Sequence, residues 1–203
     1  IAAGGGSVIS VQADVGTLEG CEQMIRETVD KFGGIDVLVN AAGIVVDGSV
    51  ETADLDDWDR SMNTNVKSVF MLSRLAMPYL RKTKGSIVNV ASVAALKGLK
   101  NRAIYSATKG AMIALSQSMA AEYVGEGIRI NCVSPGTVLS PSLQGRIDKT
   151  DDPEQAMKNF VARQPLGRLG TSDEVAKAIV FASAQGIGFM TGANIVVDGG
   201  MTI

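Results

Sequence analysis

The chain has 203 residues, of which 46% are hydrophobic and 20% are charged, and its formal net charge is −2. These values indicate one globular domain spanning residues 1–203, and they exclude a disordered chain and a basic protein that binds nucleic acid or acidic membranes. Histidine is absent and the cysteines number two, which excludes His-dependent triads, His-ligated metal sites and a disulfide framework. We therefore expect a cytoplasmic protein with no metal site and no membrane span.

Short apolar runs alternate with longer amphipathic stretches along the chain, a pattern typical of parallel βαβ units. Five apolar runs are predicted strands: Ser7–Ala13, Ile35–Val39, Gly85–Ala91, Ile128–Ser134 and Asn194–Val197. With helices between them, these strands predict an α/β fold with a three-layer, doubly wound, parallel sheet of the Rossmann-like type.

Four stretches with helical periodicity are predicted helices. They are Leu18–Phe32, about Trp58–Leu80, Tyr105–Val124 and a helix from Thr171 to about Ala184. The first helix should end at Gly33-Gly34, and Pro78 should kink or end the second. Thr171 and Glu174 have the spacing of a capping box at the start of the fourth helix.

The third predicted helix carries Tyr105 and Lys109, which lie four residues apart and therefore share a helix face. An ammonium beside a phenol favours the phenolate and lowers its pKa from about 10, so the tyrosine can exchange a proton with an alcohol or carbonyl. Taken alone, the spacing also fits an ordinary amphipathic helix with a buried tyrosine and a solvated lysine.

Three predicted strands are followed by residues that suit a ligand site. Asn40–Gly43 follows the second strand, Ser92 follows the third and Pro135–Thr137 follows the fourth. Ligands of open α/β sheets bind at the carboxyl ends of the strands, and small residues there let the backbone approach closely. This convergence favours a catalytic interpretation of Tyr105 and Lys109.

In their order and spacing, these motifs resemble those of the short-chain dehydrogenase/reductase family, and the resemblance covers essentially the whole chain. It implies NAD as the cofactor, with NADP left open, because the strand that selects between them is not recognised here. The resemblance implies that the cofactor contacts Asp14, Val15, Asn40, Ala41, Gly43, Tyr105, Lys109, Pro135, Gly136, Thr137, Val138 and Ser140.

The resemblance also implies four catalytic roles. Tyr105 is the general acid/base, and Lys109 lowers its pKa and holds the nicotinamide ribose. Ser92 orients the substrate oxygen, and Asn65 positions a water that relays protons to bulk solvent. The nicotinamide carries the hydride.

The glycine-rich, phosphate-binding turn of the family is not recognised in these 203 residues. The glycines of Ile1–Gly6 are interpreted as a turn that leads into the first strand, because no strand precedes them. We therefore expect the sequence to be part of a longer protein. By itself, the strand at Ser7–Ala13 would have no neighbour, and the strand at Ile35–Val39 would form an exposed apolar edge.

The substrate prediction depends on Arg102, Arg146 and Arg163. The segments around them resemble cytosolic type 2 3-hydroxybutyrate dehydrogenases and 2-keto-3-deoxy-L-fuconate dehydrogenases, in the first of which the matching arginines bind the substrate carboxylate. A guanidinium suits a planar carboxylate because it donates two parallel hydrogen bonds. Ser92 and Tyr105 complete the predicted substrate site, and residues 140–164 are predicted to form a substrate lid. The alternative is that the three arginines are surface residues.

Three interpretations of function therefore remain: a hydroxy-acid dehydrogenase, a reductase of 3-oxoacyl thioesters or uncharged ketones, and a non-catalytic remnant that acts as an interaction protein. Comparing a free acid with its thioester separates the first two, and titration with NADH separates the third. The family resemblance also implies a homotetramer, assembled through the two long helices and through Asp198–Ile203.

Overall fold

The computed structural model describes residues 4–203, so the first three residues of the predicted turn at Ile1–Gly6 lie outside the described residues. The helices are α1 Leu18–Phe32, α2 Leu55–Met62, α3 Ser68–Thr83, α4 Ala103–Tyr123, α5 Pro141–Ile147, α6 Pro153–Val161 and α7 Ser172–Ser183. The strands are β1 Val37–Asn40, β2 Ser86–Val90, β3 Arg129–Pro135, β4 Val138–Leu139, β5 Gly170–Thr171 and β6 Asn194–Val197.

Four strands form a parallel sheet in the order β1-β2-β3-β6. Because all four are parallel, their carboxyl ends meet at one edge, where Asn40 pairs with Asn89, and Pro135 pairs with Val197. The short strands β4 and β5 pair separately. This arrangement confirms the predicted α/β class.

Helices cover both faces of this sheet. On one face, α1, α3 and α4 pack over the strands around the fully buried Leu80, Ile87 and Ile130. On the other face, α7 packs against Val88 and Val133. Since both faces are covered, the strands are mostly apolar, and polar residues within them, such as Asn89 and Asn131, are fully buried.

The predicted strand at Ser7–Ala13 is wrong, because these residues form no strand in the described part of the chain. A strand requires a partner for its backbone groups, and none of the described strands pairs with this segment. Strand β1 consequently lies at the edge of the sheet, where Val37 and Val39 are each 41% exposed. This outcome agrees with the exposed apolar edge expected from the sequence.

The long second helix differs from its prediction at both ends. It begins at Leu55 and continues through a π-helical turn, Asn63–Lys67, into α3. Pro78 lies inside α3 and does not end it, since the helix continues to Thr83. The other helix signals were accurate: Gly33 ends α1 with a φ of 81°, and Thr171 and Glu174 form a capping box at α7.

Residues 140–164 contain two helices, α5 and α6, joined by a short connection. Leu143 and Ile147 of α5 are buried with Leu169, and apolar side chains of α6 pack against them. The segment therefore has a small apolar core of its own. We refer to residues 140–164 as the lid segment.

Candidate active site

A cavity of about 480 Å³ opens at the carboxyl edge of the sheet. Thirteen of the residues predicted from the sequence line this carboxyl-edge cavity: Ala41, Gly43, Ser92, Arg102, Tyr105, Lys109, Pro135, Gly136, Thr137, Val138, Ser140, Arg146 and Arg163. They come from the ends of β1, β2 and β3, the first turns of α4 and the lid segment. The sheet topology therefore brings residues distant in sequence to one place.

Ser92 and Tyr105 lie together in this cavity. Ser92 follows β2, is 9% exposed, and its Oγ accepts a hydrogen bond of 3.1 Å from the backbone N–H of Ala94. Burial raises the pKa of Tyr105, while the nearby Ser92 hydroxyl and the positive charges of Arg146 and Arg102 act in the opposite direction. The phenol is thus held protonated at neutral pH beside a hydroxyl and two guanidinium groups.

Lys109 carries a buried ammonium under the cavity. Its side chain is 4% exposed, and Nζ donates a hydrogen bond of 2.6 Å to the carbonyl of Val90, the last residue of β2. Nζ lies 5.8 Å from the centre of the Tyr105 ring. Burial lowers the pKa of Lys109 to about 8. The expected lowering of the Tyr105 pKa by Lys109 is not seen in this structure, because burial of the phenol dominates.

Asn65 does not line the cavity but supports its wall from the π-helical turn. The side chain is fully buried, and its Oδ1 accepts from the N–H of Ile44 at 2.8 Å. Its Nδ2 donates to the carbonyl of Ile44 at 2.9 Å and to Oγ1 of Thr108 at 3.0 Å. Both amide hydrogens are therefore used to fix the loop after β1 against α4.

Besides Tyr105 and Lys109, which line the cavity, the residues predicted to contact the cofactor lie in three places. Ala41, Gly43, Pro135–Val138 and Ser140 line the cavity. Asn40 is buried beneath it, where Nδ2 donates to Oδ1 of Asn89 at 2.8 Å. Asp14 and Val15 lie before α1 and do not line the cavity, and Oδ1 of Asp14 accepts from the N–H of Gly16.

The wall around Gly43 has the chemistry that a nucleotide ribose requires. A Cβ added at Gly43 would lie 3.2 Å from Oδ1 of Asn65 and 3.7 Å from Nζ of Lys109. The glycine thus leaves the backbone close to the buried ammonium of Lys109. One of the three N–H groups of this ammonium donates to the carbonyl of Val90, which leaves two N–H groups for a ligand. The residues present fit a group that brings hydroxyl oxygens to Lys109.

The three arginines approach one another at the outer side of the cavity. Arg102 forms an ion pair of 2.5 Å with Asp47, and the guanidinium of Arg163 lies 4.5 Å from the centre of the Phe160 ring. The pKa of Arg163 is lowered by burial and then by the charges of Arg102 and Arg146. Nε of Arg146 is buried and has no hydrogen-bond partner among the described residues. This side of the cavity therefore offers unsatisfied positive charge.

Sequence reasoning missed two residues that shape the cavity. Gln164 is 3% exposed, and its Nε2 donates to Oγ1 of Thr137 at 2.8 Å, which joins the end of the lid segment to the loop after β3. Met201 lines the cavity from the last turn of the chain, where Nζ of Lys97 donates to its carbonyl at 2.6 Å. Neither contact has a local signal, since the partners are far apart in sequence.

Residues 4–203 also show neither a membrane-spanning helix nor a cluster of metal ligands. Over this range, none of the helices combines the length and apolar composition needed to cross a membrane. Within the same residues, Cys, Asp and Glu side chains form no group of three that could hold a metal ion.

The parallel sheet with helices on both faces, and the cavity that joins Ser92, Tyr105 and Lys109 at its carboxyl edge, define a Rossmann-like oxidoreductase. A family model described as enoyl-(acyl carrier protein) reductase matches residues 1–202. The chain belongs to the short-chain dehydrogenase/reductase family, whose members act on alcohols and ketones with NAD(P)(H).

Three similar proteins illustrate the range of this family. An uncharacterized oxidoreductase of Thermotoga maritima is 43% identical over 98% of this chain and 78% of its own length. The 2-keto-3-deoxy-L-fuconate dehydrogenase of Xanthomonas campestris is 41% identical over 87% of this chain and 60% of its own. The structure of ElxO with NADP bound superposes with a TM-score of 0.87 at 34% identity, over 94% of this chain and 77% of that one.

Proposed function

We propose that this chain transfers a hydride between NAD(H) and the secondary alcohol or ketone of a small hydroxy acid. The observation that carries the proposal is that Arg102, Arg146 and Arg163 line the same cavity as Ser92 and Tyr105. A carboxylate bound by the arginines would satisfy the buried Nε of Arg146 and relieve the repulsion among the three guanidinium groups.

The cofactor proposal depends on the cavity wall. Lys109 would bind the ribose hydroxyls of the dinucleotide, and the backbones of Gly43 and Pro135–Val138 would lie against it. When bound, the nicotinamide supplies or accepts the hydride. We propose NAD, in keeping with the family resemblance, although the similar ElxO structure holds NADP.

The proton is donated and accepted by residues of this chain. Tyr105 would donate the phenolic proton to the carbonyl oxygen of a keto acid, or accept it from the alcohol in the reverse direction. The Ser92 hydroxyl would hold the same substrate oxygen, since it lines the same cavity as the phenol. We further propose that Asn65 and the loop it fixes shape the path by which the proton reaches solvent.

The test compares an acid with its neutral counterpart in the protein at its natural length, with cofactor in excess. We expect Arg146→Met to raise KM for a small hydroxy acid about tenfold or more, because a hydrogen bond to a charged group is worth about 1.5–3 kcal/mol. KM for an uncharged alcohol of the same shape should change little. Arg26→Met, on the exposed face of α1, is the matched control, and unchanged KM for acids in Arg146→Met would overturn the proposal.

A second function is favoured by a different observation. Apolar side chains also line the cavity, among them Val93, Leu99 and Ile179. These would suit an uncharged ketone or the acyl chain of a 3-oxoacyl thioester. The matching family model is described as an enoyl-(acyl carrier protein) reductase, whose substrate is also an acyl thioester but is reduced at a carbon–carbon double bond. A higher kcat/KM for a 3-oxoacyl thioester than for the free 3-oxo acid would favour this alternative.

Three coarser proposals accompany the activity. We propose that residues 1–203 form a single domain in which the lid segment, residues 140–164, closes over the substrate. We propose a homotetramer assembled through the two long helices, of which Phe70 on α3 is 50% exposed, and through Asp198–Ile203. We also propose that the protein acts in the cytoplasm.

A further inference from the structure

We propose that a second cavity beside the carboxyl-edge cavity binds a second acidic group of the substrate, so that the preferred substrate is a hydroxy dicarboxylic acid. This inference rests on the proposed function, because it extends the same substrate site outward. It names the substrate class that the arrangement of charges favours.

The second cavity, which we call the outer cavity, has a volume of about 640 Å³. It lies between residues 97–102, the end of the lid segment and Met201. Four residues line both cavities: Leu99, Arg102, Arg163 and Met201. A substrate held in the first cavity can therefore extend past these residues into the outer one.

Across residues 4–203, every charged side chain that lines either cavity is cationic. These side chains are Lys97, Lys100, Arg102, Lys109, Arg146 and Arg163. One acid, Asp47, pairs with Arg102 from outside the lining, and its side chain is 66% exposed. With Lys109 assigned to the cofactor and Arg102 paired with Asp47, a monocarboxylate would still leave most of the remaining positive charge uncompensated in a concave site, where a field of one sign is focused.

The cationic side chains are distributed from the carboxyl-edge cavity outward to the outer cavity. Arg146 lines the first cavity alone, Arg102 and Arg163 line both, and Lys97 and Lys100 line the outer cavity alone. A carboxylate at Arg146 lies in the cavity that holds Ser92 and Tyr105, whereas a second carboxylate would lie near the two lysines. The series of cations thus matches a molecule with an acid group at each end.

Lys100 is the residue that tests the outer cavity most directly. It is exposed, and its side chain forms no ion pair within the described part of the chain. Lys97 is less suitable, because its Nζ already donates to the carbonyl of Met201 and supports the wall of the site. A change at Lys100 therefore removes charge without removing a structural contact.

The experiment uses matched pairs of hydroxy acids of increasing length, each with and without a terminal carboxylate on the far end. In the wild-type protein at its natural length, we expect kcat/KM for the dicarboxylate of optimal length to exceed that for its monocarboxylate partner by about tenfold. This preference should decrease as salt is added, since the outer lysines are exposed to solvent.

Variants of Lys100 then test whether the outer cavity causes the preference for the dicarboxylate. Lys100→Met should reduce the ratio of the two kcat/KM values several-fold, and Lys100→Glu should reduce it further. Lys31→Met, which removes a cation from the last turn of α1, should leave the ratio as it is in the wild type. The ratio is the informative quantity, because loss of folding would lower both activities together.

The outcomes separate this inference from the proposed function. If monocarboxylates are substrates and their KM depends on Arg146, but no dicarboxylate is preferred at any length, the outer subsite is wrong and the proposed function stands. The same conclusion follows if a preference exists but Lys100→Glu leaves it intact. If neither kind of acid is turned over and an uncharged ketone is, both proposals fail.

Discussion

Lys109 shows at the scale of one residue how the cavity is built at the expense of stability. An ammonium that is 4% exposed loses most of its hydration, and the single carbonyl of Val90 replaces only part of it. This loss of hydration is why the pKa falls to about 8 from the ordinary value of 10.5. Lys109 lies at the position where, in the proposed function, a ribose hydroxyl would supply the missing partner.

The first prediction concerns the pH dependence of stability. Between about pH 8 and 10.5 the unfolded state binds more protons at Lys109 than the folded state, so this residue's contribution to stability rises with pH. Relative to Lys109→Met, we expect the wild type to gain about 2 to 3 kcal/mol of unfolding free energy between about pH 7 and 10. Urea denaturation at both pH values measures it, and parallel pH profiles for the two proteins would contradict the lowered pKa.

At the scale of elements, Arg129 of β3 caps the C-terminal end of helix α7. Its guanidinium donates to the carbonyls of Ala182, Ser183 and Ala184 at 3.0, 3.0 and 2.8 Å. The last carbonyls of a helix have no partner within the helix and carry its partial negative charge. One buried arginine therefore satisfies the end of α7 and fixes it to the sheet.

The second prediction follows from this contact. Arg129→Met removes three hydrogen bonds from a buried guanidinium, although the carbonyl of Ser183 keeps a bond from Ser86 Oγ and that of Ala184 keeps one from the N–H of Ile187. We expect a loss of about 3 kcal/mol in unfolding free energy. Arg129→Lys should lose less, because an ammonium can still donate to some of the same carbonyls. Arg26→Met on α1 is the control and should change stability by no more than about 0.5 kcal/mol. Equal stabilities for the Arg129→Met and Arg26→Met variants would show that the contact does not support α7.

The lid segment is joined to the sheet through Gln164 in a comparable way. Besides its bond to Oγ1 of Thr137, Oε1 of Gln164 accepts from the N–H of Thr137 at 3.4 Å, and Nε2 donates to the carbonyl of Phe160 at 3.3 Å. A single buried amide thus connects the end of α6 with the loop that lines the cavity.

The third prediction tests this connection. Gln164→Leu keeps the approximate volume but removes the hydrogen bonds, so we expect amide exchange in Pro153–Val161 to accelerate about tenfold while β3 stays protected. KM for substrate should rise because the lid segment is less well positioned. Gln155→Leu on the exposed face of α6 is the matched control. If exchange in α6 is the same in both variants, Gln164 does not hold the lid segment.

At the scale of the whole molecule, apolar surface remains exposed on helices that already cover the sheet. Phe70 is 50% exposed beside a groove of about 410 Å³ between α3 and α4, where Met77, Leu115 and Tyr123 also contribute. Exposed apolar surface of this kind is typical of an interface. The proposed tetramer would cover it with the same helices of another copy.

The fourth prediction is therefore that Phe70→Arg lowers the assembly state. Placing a guanidinium in each copy of a symmetric interface brings like charges together and removes apolar contact. Analytical ultracentrifugation should show a tetramer for the wild type and a smaller species for the variant. Val50→Arg, at a loop position that is 88% exposed, should remain a tetramer. A wild-type monomer would contradict the proposed assembly.

Local features of the sequence determined most of the elements. Helical periodicity, the terminal Gly33, the capping box of Thr171 and Glu174, and the apolar run Asn194–Val197 all act over a few residues, and the structure confirms each. The motif residues also indicated the family. Each motif follows the end of a predicted strand, and the ends of parallel strands meet at one edge of the sheet. These signals are local, so the sequence alone contains them.

Contacts between distant residues were decided only by the tertiary structure. Whether Ser7–Ala13 becomes a strand depends on a partner, and whether the pKa of Tyr105 rises or falls depends on its burial relative to the charges around it. The same holds for Gln164, whose role exists only because the fold brings it to Thr137. Pairing, burial and charge repulsion are sums over neighbours in space, and the order of residues along the chain does not specify those neighbours.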